Sequence, residues 1–184
     1  VVKISKDKKT EEISKEISRK LSLKLAGEDE QKLAKRSTEN TEAYQLYLKG
    51  RFYWNKRKAE ELWRAVKYFQ MSIDIDPNYA LAYAGLASTY VIIPEYTGMP
   101  LKETFSKTQS AATKASELDP TLAEPYAVLG LLKANSWDWV GAENEFKRAI
   151  ELNANYPTTH HWYSIILRQQ GRFEESLAEI KRAQ

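Results

Sequence analysis

Apolar and small residues recur at spacings of three and four along much of the chain, most regularly from Ala123 to Tyr156. There Tyr126, Leu129 and Gly130 are followed by Ala142, Phe146 and Ala149. On a helix these spacings gather side chains on one face, so the segment predicts two amphipathic helices. Asn135-Ser136-Trp137-Asp138 separates them, with Asp138 placed to accept from the free amides that open the second helix. A helical hairpin is the expected result.

The pattern repeats on both sides. Upstream, Tyr83, Leu86, Ala87 and Tyr90 are followed by Ala112 and Ala115 and a stop at Asp119-Pro120. Earlier still, Leu46, Gly50 and Tyr53 precede Ala65, Phe69 and Ser72, closing at Asp76-Pro77. Downstream of Pro157, the slots hold His160, Tyr163, Ser164 and Leu167, then Ser176, Ile180 and Ala183, with Gly171 available for a left-handed turn. One hairpin cannot bury its own apolar faces, and stacked neighbours build a continuous core. Gly50, Ala87, Gly130 and Ser164 fall where paired helices must approach closely.

This set of residues at fixed offsets resembles the tetratricopeptide repeat, whose unit is about 34 residues. The segment from Ala123 to Tyr156 fits that length without a gap. The first unit carries extra residues around Asn55 to Glu61, expected in its turn, and the second carries more around Pro94 to Pro100. Ala154 stands where proline is usual, and Thr108 and Ala112 replace the customary alanine and phenylalanine. The resemblance implies an all-α fold, a right-handed superhelical solenoid of antiparallel helix pairs. Its array would span residues 43–184 in about four units, at 43–79, 80–122, 123–156 and 157–184, the last one truncated.

Residues 1–42 read as an N-terminal helical segment. Ile13, Ile17, Leu21 and Leu25 form a stripe that Gly27 could end, and a second short helix is expected from Glu28 to Arg36. Asn40 or Thr41 would then cap the first repeat. The stripe reads as a cap over that repeat or the tail of an upstream domain, ahead of a separate partner-binding helix. The run Ala43-Tyr44-Gln45-Leu46-Tyr47-Leu48-Lys49-Gly50-Arg51, with Trp54-Asn55-Lys56-Arg57, resembles the junction in bacterial multidomain proteins where such repeats follow a kinase, cyclase or winged-helix module. At the other end, the face bearing Leu177 and Ile180 is expected to lie uncovered, as in a truncated array, and to offer a route to self-association.

In the tetratricopeptide family the first helix of each unit faces a concave groove. The family's offsets carry over to Tyr44, Tyr47, Arg51 and Trp54, to Leu81, Ala84, Ser88 and Val91, to Glu124, Ala127, Leu131 and Ala134, and to Thr158, His161, Ile165 and Arg168. Within these, the expected partner-binding set is Tyr44, Tyr47, Arg51, Trp54, Ala84, Ser88, Val91, Ala127, Leu131, His161, Ile165 and Arg168. Aromatic anchors beside arginine suit a bound peptide or helix. The other reading of each position is contact with a neighbouring helix or with the N-terminal segment. Lysines and asparagines that clamp a terminal carboxylate in chaperone-binding members are replaced here by Tyr47, Arg51, Ala84, Ser88, Ala127 and Leu131, so no capture of a chaperone tail is expected.

Composition narrows the field. Lysine and arginine number 28 against 25 acids, a net charge of +3 that gives little grip on a nucleic-acid backbone. A nucleic-acid-binding module using Lys3, Lys6, Lys8, Lys9, Lys15, Arg19 and Lys20 is therefore the second reading, diluted by Asp7, Glu11, Glu12 and Glu16. Cysteine is absent, which removes disulfides and thiolate metal sites, and no apolar run approaches the roughly 20 residues of a membrane span. A cytoplasmic protein without a membrane partner is expected.

Candidate chemistry is sparse. His160 and His161 point about 100 degrees apart on a helix and suit packing and groove roles better than one shared metal. No Gly-x-Ser-x-Gly elbow or glycine-rich phosphate loop is present, and the pairs Glu60-Glu61 and Glu174-Glu175 fall at helix starts, where they favour the dipole. No cofactor and no catalytic residue is expected. Trp137 and Trp139 are costly to expose and are expected to seal the hairpin end, the alternative being an external aromatic patch. The combined reading is a non-enzymatic scaffold that binds a protein or peptide, as a regulatory or docking part of a larger bacterial protein.

Overall fold

The computed structural model describes residues 38–184, which divide into two compact units, one ending at Tyr79 and the other spanning Ala80–Gln184. Among the described residues every regular element is a helix, and the helices pair antiparallel. The stripe from Ile13 to Leu25, the helix expected from Glu28 to Arg36 and the basic cluster lie outside the described residues.

Among the described residues the first unit contains one hairpin, α1 (Thr41–Asn55) and α2 (Ala59–Ile75). Of the two candidate caps, Asn40 takes the role: its Oδ1 accepts from the amides of Glu42 at 3.0 Å and Ala43 at 3.1 Å. Thr38 Oγ1 donates to the Asp76 carboxylate, joining the start of the hairpin to its end. Ala43, Leu46, Leu62, Ala65 and Phe69 fill the interior, and Ser72 Oγ donates to the Ala43 carbonyl at 2.7 Å, which lets a hydroxyl sit in that core. The extra residues of this unit lengthen its helices, 15 and 17 residues against 13 and 14 in the regular unit, instead of enlarging the turn as expected.

The second unit runs α3 (Ala80–Tyr90), α4 (Ile93–Thr97), α5 (Lys102–Leu118), α6 (Ala123–Asn135), α7 (Trp139–Leu152), α8 (Pro157–Gln169) and α9 (Phe173–Arg182). Helices α3, α6 and α8 lie side by side, and each packs on its partner α5, α7 or α9. The long turn expected around Pro94 to Pro100 contains α4, which opens with Pro94 in its first turn and closes on left-handed Gly98. Thr104 and Thr108, buried where apolar side chains were the pattern, bond back to carbonyls one turn earlier, Leu101 and Thr104. Asp138 caps α7 as expected, its Oδ1 accepting from the Gly141 amide at 2.9 Å. Gly171 supplies the left-handed turn between α8 and α9, at φ 76°.

Candidate partner-binding surfaces

On α1 the predicted residues divide by environment. Tyr44 and Arg51 are half-buried, whereas Tyr47 and Trp54 are buried. Tyr47 packs on Phe69 and Tyr79 with ring centroids 5.8 and 5.4 Å away, so part of its surface belongs to the unit's own core. Burial, with Tyr47, Tyr44 and Asp76 close by, holds the Tyr79 hydroxyl far above the usual range and therefore neutral. Trp54 lies beneath two guanidiniums, Arg51 at 5.0 Å and Arg57 at 3.6 Å from its ring centroid. Both are in cation-π range.

In the second unit Ala84, Ser88, Val91 and Ala127 are buried, Leu131 and Ile165 half-buried, and His161 and Arg168 exposed. Their spacing places His161, Ile165 and Arg168 on one face of α8, beside α6, which carries Leu131. That face offers aliphatic surface, an imidazole and a guanidinium together. The adjacent histidine does different work: His160 is buried, with Nδ1 2.5 Å from Glu179 Oε2 and Nε2 2.8 Å from the Ala154 carbonyl. Glu179 also accepts from Arg182 at 2.5 Å, so a hydrogen-bonded cluster ties α9 to α8 and to the turn before it. Among the described residues no group of three or more His, Asp or Glu side chains is placed to hold a metal ion. No described helix is long and apolar enough to cross a membrane.

Two features escaped the sequence reading. Around α1 and α2, Tyr53 stacks on Tyr68 at 5.3 Å and 4°, Phe52 meets Tyr53 edge-on, and Lys56 lies over both Phe52 and Tyr53. Lys49 and Arg64 complete this aromatic and basic cluster over Tyr68 and Tyr53, and desolvation with the neighbouring Tyr53 raises the Tyr68 hydroxyl. The available signal was spacing: Lys49 and Tyr53, Phe52 and Lys56, and Arg64 and Tyr68 are each four apart.

The second feature is an open cleft of about 300 Å³ lined by Trp139, Val140, Glu143 and Gln170. Arg172 donates to Glu143 at 2.7 Å and to Glu175 at 2.6 Å, and Lys147 lies 2.8 Å from Glu143. Hydrogen bonds from Arg172 and then Lys147 hold the Glu143 carboxyl down at about 2, and Arg172 likewise lowers Glu175. Burial, with Glu143 adding to it, pushes the nearby Tyr163 hydroxyl up to about 12. Trp137 does not seal the hairpin end as expected: it is 78% exposed and touches Trp139 edge-on at 5.5 Å. Its backbone is left-handed, at φ 64°.

No protein-family model matches the chain. Over 135 residues, 73% of its length, the chain is 25% identical to the transcriptional regulator HilA of Salmonella typhimurium, and it is equally similar to HilA of Salmonella typhi. It spans about a quarter, 24%, of the length of these curated relatives. Among solved structures it is similar to TTC0263, a thermophilic tetratricopeptide protein of Thermus thermophilus, with 21% identity, 78% of this chain and 73% of that one covered, and a TM-score of 0.65. MamA follows at 18% identity, 77% and 75% coverage and a TM-score of 0.52. YrrB, described as a tetratricopeptide protein with an unusual peptide-binding site, stands at 22% identity, 79% and 69% coverage and a TM-score of 0.50. At these identities the likeness speaks to the fold, and the described helix pairs have the tetratricopeptide-like arrangement.

Proposed function

We propose that this chain is a non-enzymatic protein-interaction module that holds a peptide or helix against its first-helix surfaces. The observation that carries this reading is the α8 face, where exposed His161 and Arg168 flank half-buried Ile165, beside Leu131 of α6. An apolar strip with polar groups at its ends suits a partner helix that seats a few apolar side chains and makes flanking hydrogen bonds. In the first unit, Tyr44 and Arg51 are the accessible members of the α1 set, and the Arg51 guanidinium lies over the buried Trp54 ring at 5.0 Å. The tetratricopeptide-like fold, and a solved relative described by its peptide-binding site, support the same reading. The partial match to a much longer transcriptional regulator supports placing the module within a larger bacterial protein as a regulatory or docking part.

The experiment is affinity capture from bacterial lysate by the wild-type chain and by a Leu131→Ala/Ile165→Ala variant whose circular dichroism and melting match it. A protein retained by the first and lost by the second supports the reading. Equal recovery of every retained protein contradicts it, and retention that collapses between low and physiological salt would point to nucleic-acid bridging.

A further inference from the structure

Lys49, Tyr53 and Lys56 stand two places after Tyr47, Arg51 and Trp54. Two places is about 200 degrees round a helix, so the aromatic and basic cluster lies on the other side of α1 from the predicted groove set. From α2 the cluster takes Arg64 and Tyr68. Lys49, Phe52, Tyr53 and Tyr68 are half-buried, while Lys56 and Arg64 are exposed. The charged groups therefore sit at the surface, beside rings that the hairpin holds in place.

The charges on this surface do not balance. Lys56 lies 3.5 Å and Arg64 3.4 Å from the same carboxylate, that of Glu61. Lys49 stands 5.8 Å from the Tyr68 centroid and, among the described residues, makes no ion pair. Three cations thus share one carboxylate. Glu60 is turned about 100 degrees from Glu61 round α2, and counting it as well still leaves three cations against two acids. The acid of α1, Glu42, is seven residues before Lys49, about 10 Å away along the axis.

The rings confine these cations. Lys56 is 4.6 Å from the Phe52 centroid and 5.0 Å from that of Tyr53, and Arg64 is 5.9 Å from Tyr53, all in cation-π range. Cations already held lose less freedom when an anion binds, which favours affinity. The rings are also occupied: Tyr53 and Tyr68 stack on each other at 4°, and a cation stands over each of the three. A nucleobase would have to displace those contacts to stack, whereas a carboxylate reaches the cations from solvent and leaves the rings as they are.

We infer that this side of the first hairpin docks an acidic segment of a partner protein, two or more of whose carboxylates pair with Lys49, Lys56 and Arg64. Glu61 is the internal competitor, since an incoming acid must share Lys56 and Arg64 with it. The surface belongs to the first unit and the α6 and α8 face to the second, so either can fail alone.

The test is fluorescence anisotropy with the whole chain and a labelled peptide of glutamate and glycine. The comparison probes are the lysine and glycine peptide and single-stranded oligothymidine. Expected is saturable binding of the glutamate peptide and none of the lysine peptide. Lys49→Gln/Lys56→Gln should weaken that binding about tenfold, while Lys102→Gln/Lys114→Gln, which removes the same charge from exposed sites on α5, should leave it within about twofold. Glu61→Gln should tighten it about threefold, a direction that damage to the fold cannot imitate. Leu131→Ala/Ile165→Ala should leave it unchanged. No binding, equal response to both peptides, equal losses from the two lysine pairs, or weaker binding by Glu61→Gln would each overturn the inference. Oligothymidine bound more tightly than the glutamate peptide, and lost with Lys49→Gln/Lys56→Gln, would overturn it in favour of nucleic acid.

Discussion

Gly50 lies under the ring of Phe69 so closely that a Cβ added to it would stand 2.6 Å from Phe69 Cε1. The same relationship recurs in the regular unit, where a Cβ on Gly130 would stand 3.0 Å from the ring of Phe146. At the equivalent places in the second hairpin, the first helix has Ala87 and the second has Ala112, both fully buried. A ring on one helix is thus matched by a missing side chain on the other, and where the ring is absent a methyl returns.

Gly50→Ala should therefore destabilise the protein by about 1–2 kcal/mol in urea titrations, because overpacking of about 1–3 kcal/mol outweighs a helix-propensity gain of up to about 1 kcal/mol. Gly130→Ala, with slightly more room, should fall within about 1 kcal/mol of the wild type. A larger loss at Gly130 than at Gly50 would contradict the geometry.

Ala112→Phe should lower stability by about 1–3 kcal/mol on its own, and adding Ala87→Gly should recover at least about 1 kcal/mol of it. Strict additivity of the two changes would show that these positions do not face one another.

Glu143 gives a pH signature. Its carboxyl is lowered in the folded protein from an ordinary value near 4.5 to about 2, first by the hydrogen bond from Arg172. A depressed folded value contributes stability above the ordinary value and loses it as pH falls from near 4.5 toward about 2. The stability gap between wild type and Glu143→Gln, measured in urea, should be largest near neutral pH and shrink through that window. A gap that stays constant to pH 2 would contradict the assignment.

His160 and Glu179 fix α9. Phe173 and Leu177 of that helix are 68% and 55% exposed, so its own apolar packing is limited. Glu179→Ala leaves a buried imidazole nitrogen without its hydrogen-bond partner, a loss of about 1–3 kcal/mol. Amide exchange in α9 should accelerate well before that in α6 and α7. Unchanged protection of α9 would contradict this account.

The helix pairs were legible because Leu46, Ala65, Phe69, Ala142, Phe146 and Ala149 keep helical spacing, and Asp138 and Gly171 marked turns by their own chemistry. Helix α4 was not legible, since the five residues from Ile93 to Thr97 are too short to show a period. Offsets placed Tyr47 on the partner face, but could not show that Phe69 and Tyr79 share its ring. Trp137 was misread because hydrophobicity argues for burial, whereas the side chain at this turn is 78% exposed and its ring meets only the edge of Trp139 among the described ring contacts. The cleft beside it is assembled from α7 and the α8–α9 turn, a juxtaposition that sequence spacing does not display.

The central claim is that a partner lies on the α6 and α8 face. A photo-crosslinking amino acid placed at Ile165, and as a control at exposed Lys114 on α5, tests it inside bacterial cells. The account predicts a discrete protein adduct from Ile165, absent from Lys114 and lost with Leu131→Ala; no adduct at Ile165, or the same adducts from both positions, would contradict it.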